Sequence, residues 1–303
     1  MRHFTAVGTV LVTVTLCSVL QAQDLEPRAY SNSPTGLNFA IAGYGYATGS
    51  VLTDPALPLE NVTNDAHLGI LAYARVLNVF GKTAKVDVVM PFGSLFAKGL
   101  VFGQPRTRFV VGVGDPAFRF SINFLGAPAL TAAEFKNYHQ DWIVGASMRV
   151  VVPLGQYDNT KLVNIGSNRW SMKTEVGCSK AFGKWTAEVA PAITVFSNNN
   201  EFFGGKTRKQ DPIYSVQTNL SYTFRPGCWL AVNAGYFVGA RSTVDGVQNN
   251  DQQEGPRFGA TFALPVNRNH SIKFYGLTGL NADRQHDFDA VGVAWQYRWG
   301  AGF

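Results

Sequence analysis

AVGVAWQYRWGAGF (Ala290–Phe303) closes the sequence on a strict two-residue beat. Val291, Val293, Trp295, Tyr297, Trp299, Ala301 and Phe303 are apolar or aromatic. Gly292, Ala294, Gln296, Arg298, Gly300 and Gly302 are small or polar. Side chains alternate faces along a strand, so the segment has one greasy face and one polar face. Taken alone, it fits a half-buried strand of a soluble sandwich as well as it fits a membrane strand.

The same beat recurs upstream. Asn38–Tyr46 is the first candidate strand, and His67–Val79 the second. In the second, placing Arg75 inward turns Leu68, Ile70, Ala72, Ala74 and Val76 outward. Ala84–Phe92 sets Lys85 and Asp87 against Val86, Val88 and Met90. Ala117–Phe124 is the cleanest, with Phe118, Phe120, Ile122 and Phe124 on one side and Arg119, Ser121 and Asn123 on the other. Trp142–Val152, Met172–Cys178, Trp185–Val195, Tyr214–Phe224, Leu230–Val238, Arg257–Leu264, Ser271–Tyr275 and the closing segment complete the set. About twelve strands result, most of roughly nine to eleven residues, the length a tilted strand needs to cross a bilayer.

Connection lengths separate a barrel from a sandwich. FGKT, AFGK, RPGC and PVNRNH are tight turns. They alternate with long polar stretches at Thr48–Asp65, Lys98–Val111, Gly155–Asn168, Ser197–Asp211, Ser242–Pro256 and Asn281–Asp287. Short turns on one side and long loops on the other predict an all-β, transmembrane, antiparallel up-and-down β-barrel with periplasmic turns and outer loops. One long link, Gly126–Asp141, falls on the turn side, and its TAAEFKNYHQ predicts a short periplasmic helix. Trp142, Trp185, Trp229 and Trp299 all fall at the turn-side level, as an interfacial girdle would. Phe303 matches the aromatic C-terminal residue of outer-membrane barrels, which the barrel assembly machinery reads. Pairing of first and last strands would remove edges that lipid does not tolerate.

Composition agrees. Charged residues are only 15% of the 303, while glycine (31) and aromatics (13%) are plentiful, which suits strands better than helices. Past residue 20 no apolar run reaches the ~18 residues of a helical span. Arg2 and His3, the apolar stretch Phe4–Leu20 and the ending Leu20-Gln21-Ala22 read as a signal peptide over residues 1–22, cut after Ala22. Residues 23–303 then form a single barrel domain in a bacterial outer membrane. Removing Arg2 takes the net charge from +6 to +5, with no Lys/Arg run, which argues against nucleic acid as partner. Cys17 leaves with the signal; Cys178 and Cys228 are not a disulfide framework, and spacing leaves open whether they pair.

Four stretches go beyond a generic barrel: DLEPRAYSNSPTGLNF (Asp24–Phe39), VGVGDPAFRFSINFLGAPAL (Val111–Leu130), VVPLGQYDNTKLVNIGSNRW (Val151–Trp170) and ARSTVDGVQNNDQQEGPRFGATFALPVNRNHSIKFYG (Ala240–Gly276). With WQYRWG they strongly resemble the outer-membrane family named for the MetA pathway of phenol degradation, over nearly the whole mature chain. The resemblance implies a transporter-like β-barrel linked by name to aromatic breakdown. It implies no catalytic set and no defined substrate site.

Enzyme signatures are thin. The mature chain has His67, His139, His270 and His286, and only His67, near Asp65, sits at a strand end; GxSxG is absent. Gly112–Pro116 opens a strand rather than a helix, so it fails as a phosphate loop. Asn281, Asp283 and Asp287 are weak as a calcium loop and better read as solvated. No metal or cofactor is expected.

Strand parity turns eleven charged residues toward the lumen: Arg75, Lys85, Asp87, Arg119, Arg149, Lys173, Glu175, Glu188, Arg257, Lys273 and Arg298. Eight are basic. Charge on the lipid face at mid-depth costs roughly 2–4 kcal/mol for Arg or Lys. A basic lumen favours anions, because rings of charged side chains set selectivity in pores. The same residues could instead pair across a filled lumen and hold the barrel shut. The expected function is passive uptake of small molecules, aromatic or hydrophobic compounds or their anions. The alternatives are a closed structural or adhesive barrel acting through its surface loops, and an outer-membrane hydrolase, which needs His67 beside a serine and an acid.

Overall fold

The last strand closes on the first. In the computed structural model, Leu37–Ser50 (β1) pairs antiparallel with Phe288–Gly300 (β17), from Leu37 opposite Gly300 to Gly49 opposite Phe288. The structure describes residues 26–50, 59–101, 103–161, 163–279 and 288–302. The expected signal peptide, Phe303 and residues 281–287, with Asn281, Asp283, His286 and Asp287, lie outside them.

From β1 the chain runs as antiparallel neighbours. Leu59–Val79 (β2) and Lys82–Val101 (β3) form one tall hairpin. Gln104–Val113 (β4) and Ala117–Leu125 (β5) both pair with β3 and together make one descending strand, interrupted at Gly114-Asp115-Pro116. Trp142–Val151 (β6), Ser171–Phe182 (β7) and Trp185–Phe196 (β8) follow. After Asn199–Phe202 (β9) and Lys206–Gln210 (β10) come Ile213–Arg225 (β11) and Cys228–Gly239 (β12). Ser242–Val244 (β13) and Val247–Gln248 (β14) precede Gln253–Pro265 (β15), His270–Gly279 (β16) and β17. With β4 and β5 counted as one, twelve strands close into a barrel, so every lipid-facing edge is paired.

The short turns fall where expected. Phe80 and Gly81 both take positive φ (51° and 75°), the primed turn that matches the strands' own twist. The Gly126–Asp141 link carries a single 3-10 turn, Glu134–Asn137. The long side differs from expectation. Lys98–Val111 is not a loop, because β3 and β4 stay paired up to Val101 opposite Gln104. Lys98, Arg106 and Arg108 punctuate that hairpin above the apolar band, which hides its alternation. The Ser197–Asp211 and Ser242–Pro256 stretches carry β9, β10, β13 and β14, a separate four-stranded sheet on the outer side.

Two orientations are corrected. On β2, Leu68, Ile70, Ala72, Ala74 and Val76 are buried inward, while Arg75 is exposed on the outer face. They join Leu37, Phe39, Ile41 and Val89 in an apolar inner wall. Arg75 sits near the periplasmic end, opposite Asn38, where a long side chain reaches water and the cost of charge falls away. Trp229 is fully buried, facing inward against Ala231 and Ala263, and is not part of the girdle. The belt is Trp142, Trp185, Trp295 and Trp299, with stacked Tyr297 between the last two. Cys178 and Cys228 are both free thiols.

The outer face of β17 carries Val291, Val293 and Trp295. Val293 lies mid-strand, between Tyr44 and Phe274. Val293→Arg is expected to destabilise the bilayer-folded barrel by about 2–4 kcal/mol. Urea titration of protein folded into lipid vesicles would measure it, and a value near zero would remove this face from the bilayer.

Candidate functional site

Four inward charges stand side by side on adjacent strands: Asp87 on β3 opposite Arg119 on β5, Arg119 opposite Arg149 on β6, and Arg149 opposite Lys173 on β7. Like charges directly opposite each other destabilise a sheet, so such a row needs counter-charge. Asp87 accepts from Arg119 Nε at 2.8 Å, and Glu175 sits 3.2 Å from Lys173. The remaining answer comes from outside the sheet.

Residues 26–35 run inside the barrel. Glu26 forms a two-point ion pair with Arg119, its second hydrogen bond at 3.1 Å. Its backbone N–H donates to Gln217 on β11, and its carbonyl accepts from Asn219. The Arg28 backbone N–H donates to Glu188 on β8; its guanidinium donates to Thr223 and lies 5.6 Å over Trp229. Tyr30 donates to Glu175, which also accepts from Gln217. Lys85 Nζ donates to the carbonyls of Ala29 and Ser31 at 3.0 and 2.9 Å. The Tyr30 ring lies against Gly145 and Gly177, and a methyl group at position 177 would overlap it. At the periplasmic rim, Asn32 and Thr35 bond to the carbonyls of Pro128 and Leu130 in the 126–141 link. That link underlies the segment; the segment itself occupies the lumen.

Ten of the eleven expected lumen charges therefore have inward parity. Lys85, Asp87, Arg119, Glu175 and Glu188 grip the segment or its partners directly. Arg149 and Lys173 extend the charged row. Arg257, over Phe237 at 5.4 Å, and Lys273 are buried farther round the wall. Arg298 has inward parity but sits at the rim, donating to the Arg268 carbonyl. Arg75 alone faces out. Sequence reasoning missed the segment's own Glu26, Arg28 and Tyr30, and the polar inner residues Gln217, Asn219 and Asn233. The inner polar residues were legible as uncharged members of the same alternation.

The outer half is shaped by the loop between β6 and β7. Asp115 accepts from the Gly155 N–H at 2.8 Å and from Ser167 N–H and Oγ at 2.7 and 2.6 Å. Ile165 then packs inward against Ala47, Ala66, Leu68, Leu95, Val110 and Ala290. GVGDP is thus a loop anchor, not a phosphate site.

His67 lies on the outer face, its Nδ1 2.7 Å from the Tyr44 hydroxyl. Ser94 is its register partner on β3, and Asp65 accepts from Tyr46 and Thr48. Among the described residues, no hydrogen bond joins Ser94 to His67. No group of three metal-ligating side chains occurs among them either.

A family model described as "Putative MetA-pathway of phenol degradation" matches residues 41–297. No curated protein matches the sequence. Among solved structures, an outer membrane channel from Pseudomonas putida F1 is similar, at 21% identity and a TM-score of 0.77, over 91% of this chain and 100% of that one. The β domain of the Bordetella autotransporter BrkA is similar at 8% identity and TM-score 0.51, over 88% and 100%. The transport unit of the Escherichia coli autotransporter AIDA-I, at 8% and 0.51, covers 93% and 94%. At these identities the likeness is one of fold.

Proposed function

The chain belongs to the MetA-pathway-of-phenol-degradation family, and from that premise we propose that it is a non-enzymatic channel of the bacterial outer membrane that takes up small amphipathic molecules, aromatic compounds or their anions, by passive diffusion. The observation that carries this reading is the two-sided lumen. One inner wall, on β1, β2 and β17, is apolar, and the other carries the row Arg119–Arg149–Lys173. A ring with a carboxylate matches both walls at once, and the row gives anions the advantage over cations. Residues 26–35 narrow the path along the charged wall.

The test is conductance of the refolded mature chain in a planar bilayer with benzoate as the anion. Stable steps with anion preference are expected. Arg149→Ala should reduce that preference severalfold while leaving the Glu26–Arg119 pair in place. A second reading, a closed barrel acting through its outer loops, is favoured by how fully residues 26–35 are bonded to the wall. Silence at all voltages from folded protein would select it.

A further inference from the structure

At the outer end of β8, Phe196 packs against Ile213, Phe237 and Ala240, an apolar floor facing inward. The Arg169 guanidinium lies over Phe196, its Cζ 4.4 Å from the ring centroid, and the residue is 6% exposed. A buried guanidinium ordinarily finds a carboxylate or several carbonyl oxygens. Among the described residues Arg169 has neither, and its Nη1 is both buried and without a hydrogen-bond partner. The acid beside it is committed elsewhere, since both Asp115 oxygens hold the Gly155 and Ser167 donors. The second guanidinium nearby makes matters worse. Burial first, and repulsion from Arg208 second, disfavour the charged form of Arg169. A guanidinium does not shed its proton to escape this, so the site calls for an anion. Arg257 stands over the neighbouring Phe237, adding a further positive end to the same floor.

We propose that Arg169 and the Phe196–Phe237 floor form a binding site for an aromatic carboxylate at the outer mouth of the barrel. The carboxylate would pair with the buried Nη1 of Arg169, and the ring would lie beside half-buried Phe196. The surrounding loop holds the arginine in place. Asn199 joins Asn168 to Tyr157, with hydrogen bonds of 2.9 and 3.0 Å, and bonds the Ser167 carbonyl. The site deepens the uptake reading as a first station for its substrate, yet it can be tested apart from conduction.

The experiment is calorimetric titration of benzoate into the refolded full barrel, with Arg169→Gln and Arg169→Lys beside it and phenol as the uncharged probe. Saturable benzoate binding is expected, weakened about 10- to 100-fold in Arg169→Gln, the worth of a hydrogen bond to a charged group. Arg169→Lys should retain part of it, and phenol should bind far more weakly than benzoate. Heat-modifiable migration on gels would establish that each variant is folded. Equal benzoate affinity in wild type and Arg169→Gln, or equal affinity for phenol, overturns the site. Bilayer conductance of the same samples separates the two proposals. A conducting barrel with no Arg169-dependent binding keeps the channel and loses the site. A silent barrel that binds benzoate through Arg169 does the reverse.

Discussion

Arg119→Ala is expected to cost about 3–5 kcal/mol of barrel stability, the largest single loss at the lumen. The reason is what it leaves behind. Glu26 and Asp87 would remain buried with their shared cation gone, and stranded buried charge is far more costly than a missing pair. Glu26→Gln should cost less, because the amide keeps acceptor capacity and Arg119 keeps Asp87. The two variants should also differ in acid. Burial pushes the Glu26 carboxyl up, but Arg119, with Lys85 and Arg149 beyond it, outweighs burial and holds it below the usual carboxylate range. Its folded pKa is therefore lower than its unfolded value near 4.5, so its contribution is complete above that value and is lost as pH falls through the lower folded one. Urea unfolding followed by tryptophan fluorescence at neutral and acid pH measures both effects. Equal losses for Arg119→Ala and Glu26→Gln at neutral pH would refute the clamp.

Gly177→Val is expected to unseat residues 26–35 and raise single-channel conductance severalfold. Position 177 faces inward on β7, and the Tyr30 ring occupies the space its side chain would need. Valine suits a strand, so the strain falls on the seat and not on the sheet. Overpacking of this kind costs typically 1–3 kcal/mol, which the segment avoids by leaving. Departure frees Glu175 and Lys85 from their segment partners and widens the path beside the charged row. Two readouts are needed: bilayer conductance, and protease cleavage within 26–35 in the folded barrel. Unchanged conductance with unchanged protection would mean that the seat tolerates the added bulk.

How much of this could be read from the residues alone depends on where each strand meets water. β5 was unambiguous, because Phe118, Phe120 and Phe124 alternate with Arg119 and Asn123 at full membrane depth. β2 was not. Both of its faces carry apolar residues, since its inner face belongs to the apolar wall, and Arg75, the one Lys, Arg, Asp or Glu between His67 and Val79, lies at the boundary where either side is tolerated. Trp229 failed for a related reason: a girdle level can be inferred from position along a strand, but inward or outward is a matter of parity, and Asn233 shares its face. The tall β3–β4 hairpin was hidden because above the bilayer both faces are wet and alternation fades. The occupant of the lumen was the least legible of all. EPRAYSNSP looks like a polar leader, and its bonds reach partners up to 195 residues away in sequence. Its one local hint is an acid, a base and a tyrosine in five residues, more chemistry than a linker uses.

The distance between Glu26 and its partners also orders events in time. Gln217 and Asn219 belong to β11, the eighth of twelve strands counted along the chain. No hairpin of the first half can hold the segment, since the row on β3–β7 supplies only one side of its seat. The loop to be closed is long and entropically costly, so these bonds form late, after the cheaper neighbouring pairings. A half-built wall thus keeps its beginning loose, and only a wall carried through β11 and β12 draws it in. Protection of residues 26–35 is then a sign that assembly has passed β12, written in the first residues of the barrel.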